Sequence, residues 1–202
     1  MALEEVKTFK YLGAIIADGD SKPEIDSRIA QAYASLAKLK HIWLAQSIQM
    51  ETKLKLMQSL VYSIFLYGAE TWTITSNIEK RINAFENKCY RRIFNIKYTD
   101  KVSNEKLHQM ISDRMGHRQS LMTTIKKRKL KWYGHVTRSN GLCKTILQGS
   151  VPGKRNKGRP SKTWADNIKE WTGMKHNELQ KIAHDRDQWR QLVNSINGAP
   201  TT

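Results

Sequence analysis

Residues 50–72 read METKLKLMQSLVYSIFLYGAETW, and this stretch decides the fold. Its apolar residues recur at the three- and four-residue steps of an α-helix, at Leu54, Met57, Val61, Ile64 and Phe65. Leu60, Tyr62 and Leu66 extend the apolar surface around the remaining sides, which is typical of a buried helix. The sequence therefore predicts a central, buried helix that ends near Gly68, since glycine readily adopts a left-handed cap.

Helical patterns flank this stretch on both sides. A first helix is predicted over residues 23–44, because Pro23 suits the first turn of a helix and an apolar stripe follows it. Ser76 and Glu79 have the spacing of a capping box, in which the serine accepts from the third amide and the glutamate reaches back. This pattern predicts a third helix from Ser76 to about Asn95.

Further helices are predicted toward the C-terminus. A short one is capped near Ser103, and another lies within residues 117–138, where Gly134 is expected to loosen the chain. Thr163 and Asp166 form a second capping pattern ahead of another helix, and one or two more follow it. This C-terminal region is therefore expected to be a small helical segment.

The N-terminal residues 8–17, TFKYLGAIIA, are rich in β-formers and run into the turn cluster DGDSKP. They predict a short β-hairpin that ends near Asp18. The predicted fold class is therefore mainly α, with one short hairpin. The predicted segments are a hairpin over 1–20, a helical bundle over 21–98, a helical basic segment over 99–138, a basic flexible linker over 139–162, a helical C-terminal segment over 163–196 and a disordered tail over 197–202.

Positive charge is concentrated in one region of the chain. The 202 residues include 35 Lys or Arg and 18 Asp or Glu, which gives a net charge of +17. Residues 114–165 contain fourteen of these cations and no acid. A run of one sign creates a strong local potential, so we expect an anionic partner: nucleic acid, an acidic membrane surface or an acidic protein. A solvated basic face without a specific partner is the alternative.

Several classes of function lack their sequence signatures. There is no run of about 18 apolar residues and no secretory pattern at the N-terminus, so we expect neither a membrane span nor secretion. Cys89 and Cys143 are too few for a disulfide framework, which favours the cytoplasm or the nucleus. Because nucleotide loops and metal-ligand spacings are also missing, we predict no catalytic residue, metal site or cofactor in this chain.

Six blocks along residues 5–195 carry a family likeness. In order they are FKYLGAII, EIDSRIAQAYASLAKLKHIW, TKLKLMQSLVYSIFLYGAETWTIT, RINAFENKCYRRIFNIKYTDKVSNE, KRKLKWYGHVTR and GKRNKGRPSKTWADNIKEWTG. The ordered series resembles the C-terminal part of a non-LTR (LINE-type) retrotransposon endonuclease–reverse transcriptase. In that family an endonuclease, fingers and a palm with Mg²⁺-binding aspartates precede these blocks. The resemblance implies a truncated fragment without polymerase activity of its own, because two-metal phosphoryl transfer needs the palm aspartates.

The resemblance also implies roles for particular segments. Phe9, Tyr11, Leu12 and Gly13 look like the primer grip, the β-hairpin that supports the primer 3′ end. Residues 21–98 look like the thumb, which holds the template–primer duplex. Such a thumb would bind an RNA–DNA hybrid by its phosphate backbone without reading its sequence. The expected partners are RNA and DNA, together with the palm and fingers of a full-length element, and no membrane.

Basic side chains outside the apolar stripes are the predicted phosphate contacts. In the thumb-like helices they are Arg28, Lys38, Lys40, Lys53, Lys55, Arg91 and Arg92. In the helical basic segment they are Lys126, Lys127, Arg128, Lys129 and Lys131. In the basic linker they are Lys154, Arg155, Lys157, Arg159 and Lys162.

Three other interpretations stay open on the sequence alone. KGRPSK, residues 157–162, looks like a single AT-hook, which would make the chain a stand-alone DNA-binding protein with a preference for A·T-rich minor grooves. The basic helix within residues 117–138 would also suit an acidic protein or an anionic membrane surface. Finally, the chain would be a retrotransposon relic if its fold persists without a function.

Overall fold

The structure, a computed structural model, describes residues 6–17, 19–116, 118–148 and 161–196. These residues are mainly α-helical with one antiparallel β-hairpin, which confirms the predicted fold class. The predicted turn residue Asp18, most of the predicted linker and the predicted disordered tail lie outside the described residues. The chain divides into two compact units, Met1–Met122 and Thr123–Thr202.

The first unit contains the hairpin and a helical bundle. Its elements are β1 (Thr8–Tyr11), β2 (Ala14–Ala17), α1 (Lys22–Lys38), α2 (Lys40–Leu44), α3 (Met50–Met57), α4 (Ser63–Phe65), α5 (Ser76–Ile93) and α6 (Asn104–Met115). The second unit is helical. Its elements are α7 (Leu121–Arg138), of which Leu121 and Met122 belong to the first unit, α8 (Leu142–Gln148), α9 (Trp164–Thr172), α10 (His176–His184) and α11 (Arg186–Ser195).

The hairpin turns at two residues with left-handed backbone. Phe9 of β1 pairs with Ile16 of β2, and the turn between the strands has φ of +46° at Leu12 and +82° at Gly13. Glycine adopts such angles without the steric cost that a side chain adds. The predicted position of the hairpin is therefore confirmed, and Gly13 is the residue that makes its turn inexpensive.

The predicted central helix is present but is not uniform. A π-helical turn over Gln58–Tyr62 joins α3 to α4 without a break. Val61 and Phe65 are fully buried, whereas Leu60 is 41% exposed. The apolar pattern therefore located the buried face correctly, but the helix keeps a solvent-facing side.

The predicted helix over residues 23–44 is wrong in one respect, because it is broken at Leu39. Leu39 ends α1 with φ of −89° and ψ of +16°, and α2 begins at the next residue. The break lets the Trp43 indole turn into the core, where its Nε1 donates to the Leu36 carbonyl at 2.8 Å. A side-chain hydrogen bond to the backbone of α1 thus accompanies the departure from helical periodicity.

The helix caps agree with the predictions with one exception. The N-cap of α5 is Thr75 rather than Ser76, since the Thr75 hydroxyl accepts from the Ile78 amide and Ser76 is already helical. Ser103 caps α6 as predicted, with its hydroxyl accepting from an amide of the first turn. Thr163 and Asp166 form the predicted capping box of α9.

The second unit is organised around an aromatic core. Tyr133 and Trp189 pack with ring centres 5.5 Å apart, and Trp189 Nε1 donates to the Leu130 carbonyl at 3.0 Å. Gly134 lies inside α7 directly against the Trp189 indole, so its predicted loosening role is wrong: it permits a close helix contact. Within the segment predicted as a linker, residues 142–148 form the helix α8.

Across the described part of the chain, none of the helices has both the length and the apolar character that a bilayer crossing needs.

Candidate nucleic-acid interface

Arg28, a predicted phosphate contact, is buried and holds the hairpin onto α1. Its Nε donates to Glu24 Oε1 at 2.6 Å, and its Nη2 donates to the Gly13 carbonyl at 2.7 Å. The guanidinium lies 4.4 Å from the centre of the Tyr67 ring, and the Tyr67 hydroxyl donates to the Leu12 carbonyl at 2.9 Å. Arg28 therefore orients the hairpin, and we leave it out of the proposed interface.

The hairpin presents an apolar edge to solvent. Phe9, Tyr11 and Leu12 are all exposed, and the two rings lie 6.2 Å apart between centres. Neighbouring exposed apolar side chains that form one patch are typical of a binding surface, whereas single exposed apolar residues occur on any protein. These residues, which the resemblance assigns to a primer grip, are available to a partner.

The other cations predicted near α1 to α3 fall into two groups. Lys53 is buried, and its Nζ donates to a backbone carbonyl of α2 at 2.8 Å. We therefore leave Lys53 out of the interface as well. Lys38, Lys40 and Lys55 are exposed, and Lys55 pairs with Glu51 at 2.9 Å.

An open groove of about 860 Å³ lies on the first unit; we call it the aromatic groove. Its cations come from α5 and the segment that follows, and they are Lys88, Arg91, Arg92, Lys97 and Lys101. Its uncharged lining is apolar or aromatic, and consists of Tyr33, Leu36, Ala37, Ile96, Tyr98 and Val102. None of these described lining residues is acidic. The predicted contacts Arg91 and Arg92 thus lie at one site.

The run of cations on α7 is divided between the interior and the surface. Lys129 has no exposed surface: its Nζ donates to Asn167 Oδ1 at 2.9 Å and lies 4.5 Å from the centre of the Trp164 ring. Burial, and then the nearby charge of Lys162, lower the pKa of Lys129 to about 7. Lys129 is therefore a core residue of the second unit and not a surface contact.

The remaining predicted cations of α7 stay at the surface to different degrees. Arg128 and Lys131 are exposed, while Lys126 and Lys127 are half-buried. The Lys126 ammonium lies 5.7 Å from the centre of the Trp171 ring. Lys127 and Arg128 share a side of α7 with Lys131, because they precede it by four and three residues.

A second groove, of about 540 Å³, lies on the second unit; we call it the basic groove. Its charged and titratable lining comes from α7 and α11, and consists of Lys131, His135, Arg138, Arg186 and Arg190. No described residue that lines it is acidic, and its apolar floor includes Trp189 and Val193.

Arg138 is held in place within the basic groove. Its Nη1 donates to the Ala183 carbonyl at 2.5 Å. Burial and the neighbouring Arg186 charge both lower the pKa of Arg138, which means that its charged form is disfavoured there. Arg190 pairs with Asp187 at 3.2 Å on the exposed surface of α11. An anion bound in the groove would relieve the repulsion between Arg138 and Arg186.

Sequence reasoning named only Lys131 among the cations of the basic groove. A signal for the others was present, since Lys131, His135 and Arg138 follow one another at steps of four and three on α7. Arg186 and Arg190 are likewise four apart on α11. Residues at these steps share one helix face. The sequence alone does not show that α7 and α11 line the same groove.

The predicted linker contacts are mostly outside the described residues, namely Lys154, Arg155, Lys157 and Arg159. Lys162 is described, and its Nζ forms an ion pair with Glu170. That pair is partly exposed, so the Lys162 charge is partly balanced within the protein.

Comparison with known proteins identifies a relative that is named as transposon-derived. An uncharacterized transposon-derived protein of Caenorhabditis elegans is 30% identical to this chain, in a match that covers 95% of this chain and 71% of the relative. No family model matches the chain, and no solved structure matches it. The chain therefore belongs to the family of transposon-derived proteins.

Proposed function

We propose that this chain is the C-terminal part of a non-LTR retrotransposon reverse transcriptase and that it binds nucleic acid through the phosphate backbone. The transposon-derived relative supports the origin, and the ordered blocks from FKYLGAII to GKRNKGRPSKTWADNIKEWTG support the finer assignment. The observation that carries the binding function is the basic groove, where cations from two helices gather with no acidic residue among the described lining.

The composition of the basic groove suits phosphate groups. The guanidinium groups of Arg138, Arg186 and Arg190 offer planar pairs of N–H donors, which match the oxygens of a phosphate. Because the Arg138 and Arg186 charges repel each other, a bound anion gains more there than beside an isolated cation. Contacts of this kind position a nucleic acid without reading its bases.

We propose no polymerase activity for the chain by itself. The sequence contains no pair of adjacent aspartates, and the family's palm uses such a pair to hold Mg²⁺. Nucleotide incorporation on a primed template is therefore expected to stay at background in the presence of Mg²⁺. A full-length element would supply the palm and the metal ions.

The experiment is a salt titration of binding, followed by fluorescence anisotropy with labelled duplexes of equal length. An RNA–DNA hybrid and a mixed-sequence DNA duplex should bind alike, with log affinity falling by roughly 0.9 per contacted phosphate for each unit of log salt concentration. The variant Arg186→Gln/Arg190→Gln should lower this slope by up to about 1.8. The control Lys175→Gln/Lys181→Gln removes the same charge from exposed positions outside the groove and should change the slope less.

Other outcomes would point to the other interpretations. A preference for A·T-rich duplex that Arg159→Ala abolishes would favour the AT-hook. Binding to anionic vesicles but to no nucleic acid would contradict the proposal, and an absence of any binding would favour a relic.

A further inference from the structure

We infer that the aromatic groove of the first unit is a binding site for single-stranded nucleic acid, in which an unpaired base stacks on Tyr98. The class of ligand rests on the proposed function. The single-stranded form, the groove and the stacking residue are the new elements, and each follows from the described side chains.

Tyr98 is unusual because its side chain is completely exposed although it lines the aromatic groove. A large aromatic ring normally buries much of its surface in the folded protein, since that burial is favourable. An exposed tyrosine beside a groove offers a ring face to a ligand. Nucleic-acid bases are the ligands that use such faces, because every base has a π-face of its own.

The backbone around Tyr98 is held in a tight turn. The Lys101 amide donates to the Tyr98 carbonyl at 3.3 Å, and the Lys97 amide donates to Asp100 Oδ2 at 2.7 Å. Lys101 follows with a left-handed φ of +46°. The turn fixes the backbone position of Tyr98 at the edge of the groove before any ligand arrives. It also engages the Asp100 carboxylate, the nearest acid in the chain, with its own backbone.

The cations of the aromatic groove are placed to contact phosphates on either side of a stacked base. Arg92, Lys97 and Lys101 are exposed, whereas the Arg91 Nη2 donates to Asn104 Oδ1 at 3.0 Å. The Lys88 ammonium lies 4.7 Å from the centre of the Tyr33 ring. Three cations with exposed side chains therefore border the site, which matches the combination of charge and aromatic surface in single-strand binding proteins.

The apolar lining favours a base over an acidic side chain. Ile96 and Val102, which are partly exposed, give the groove surfaces that can cover the flat, weakly polar body of a base. An acidic peptide would satisfy the cations but would leave the Tyr98 ring without a specific contact. A duplex would also fail to use the ring, because its bases are already stacked on both faces. A single strand satisfies both features.

The test compares single-stranded and duplex ligands with the full chain. Labelled dT12 and a 12-base-pair DNA duplex are titrated by fluorescence anisotropy at about 0.15 M KCl. Tyr98→Ala should lower the affinity for dT12 roughly 5- to 150-fold, since stacking of one base contributes about 1–3 kcal/mol. Tyr98→Phe keeps the ring and should stay within about twofold of the wild type. The affinity for duplex should be unchanged in both variants.

Two further measurements separate stacking from charge. Tyr98→Ala should leave the salt slope for dT12 unchanged, because it removes no phosphate contact, whereas Arg92→Gln should lower that slope. Thermal unfolding should show equal stability for the wild type and Tyr98→Ala, since the side chain is fully exposed. A glutamate-rich peptide of equal charge should displace dT12 only weakly.

The outcomes distinguish this inference from the proposed function. If duplex binding persists while Tyr98→Ala binds dT12 as the wild type does, the stacking site is wrong and the proposed function stands. The same holds if Tyr98→Ala weakens dT12 and duplex equally, or if the acidic peptide competes strongly and depends on Tyr98. If the wild-type chain binds neither ligand, both proposals fail.

Discussion

At the scale of single residues, Lys129 shows how a cation can belong to a core. Its Nζ donates to Asn167 Oδ1, and the Trp164 and Trp171 ring centres lie 4.5 Å and 5.3 Å away. The faces of these rings attract the ammonium form. Burial acts against that form and lowers the pKa of Lys129 to about 7, so the site holds a lysine that titrates near neutral pH.

This lowered pKa predicts how stability depends on pH. An unfolded lysine keeps its ordinary pKa near 10.5, so between about pH 7 and 10 the unfolded chain binds a proton that the folded chain has released. The contribution of Lys129 to stability is therefore complete above pH 10.5 and is lost as the pH falls toward 7. Wild type should gain up to about 1.4 kcal/mol of unfolding free energy per pH unit relative to Lys129→Met.

Urea unfolding of both proteins at pH 7.0 and pH 9.5 measures this difference. The variant serves as the reference because it cancels the titration of all other groups. Equal pH dependence in wild type and Lys129→Met would mean that Lys129 stays charged in the folded protein.

Gly134 predicts a second effect at the residue scale. A Cβ at this position would lie 2.2 Å from Trp189 Nε1, which is shorter than any unstrained contact. Alanine is the better helix former, by about 1 kcal/mol, but the clash should outweigh this gain. We expect Gly134→Ala to lower the unfolding free energy by about 1–3 kcal/mol, the usual cost of overpacking.

The matched control for Gly134→Ala is Gly141→Ala. Gly141 is exposed, and a Cβ there would meet no heavy atom within 4 Å. This control should stay within about 0.5 kcal/mol of wild type in the same urea titration. If both variants matched the wild type, the close approach of Trp189 to α7 would be contradicted.

At the scale of elements, the start of α5 offers a sharp comparison. The hydroxyl of Thr75 accepts from the Ile78 amide at 3.4 Å, whereas Ser76 is exposed and already helical. Thr75→Ala should cost about 1 kcal/mol, the usual value of an N-cap, and Ser76→Ala should be nearly neutral. Chemical denaturation of the two variants decides between the positions. If Ser76→Ala were the more destabilising of the two variants, Ser76 would be the N-cap of α5, as the sequence pattern suggested.

The same scale shows what the sequence could and could not predict. Periodicity and capping patterns were sufficient for the hairpin, for the buried face of α3 and α4, and for the N-termini of α6 and α9, because these features depend on neighbours in the chain. The break at Leu39 was not predictable, since it accompanies a side-chain contact that periodicity does not encode, the hydrogen bond of the Trp43 indole to the Leu36 carbonyl. Burial of Lys129 was missed for a similar reason: its partner Asn167 is 38 residues away.

The candidate site was predictable only in part for the same physical reason. Composition alone indicated an anionic partner, and Arg91, Arg92 and Lys131 were named among the predicted contacts. The basic groove itself depends on α7 and α11, whose facing residues are more than 40 positions apart. Spacing along one helix shows which cations share a face, but only the fold shows which second helix completes the groove.

At the scale of the whole molecule, charge is the dominant property. Each unit has a groove whose described lining contains cations and no acid. With 35 basic and 18 acidic residues, the cations outnumber the acids by 17, so about half of them cannot pair one-to-one with an acid of the chain. Such an excess of positive charge favours binding to an anionic polymer. The same charges also repel one another in the folded state.

This excess charge predicts opposite effects of salt on binding and on stability. Raising KCl from about 0.05 M to 0.5 M shortens the Debye length from roughly 14 Å to 4 Å, so repulsion among the cations is screened. Tm measured without nucleic acid should therefore rise, by roughly 2–4 °C for each kcal/mol of repulsion removed. Over the same range the affinity for duplex should fall steeply, because counterions released on binding enter a more concentrated salt solution and their release contributes less free energy. Arg186→Gln/Arg190→Gln should show a smaller rise in Tm, since two repelling charges are gone. If salt instead lowered Tm, internal ion pairs would outweigh the net charge, and the grooves would lack the unbalanced potential on which both proposals depend.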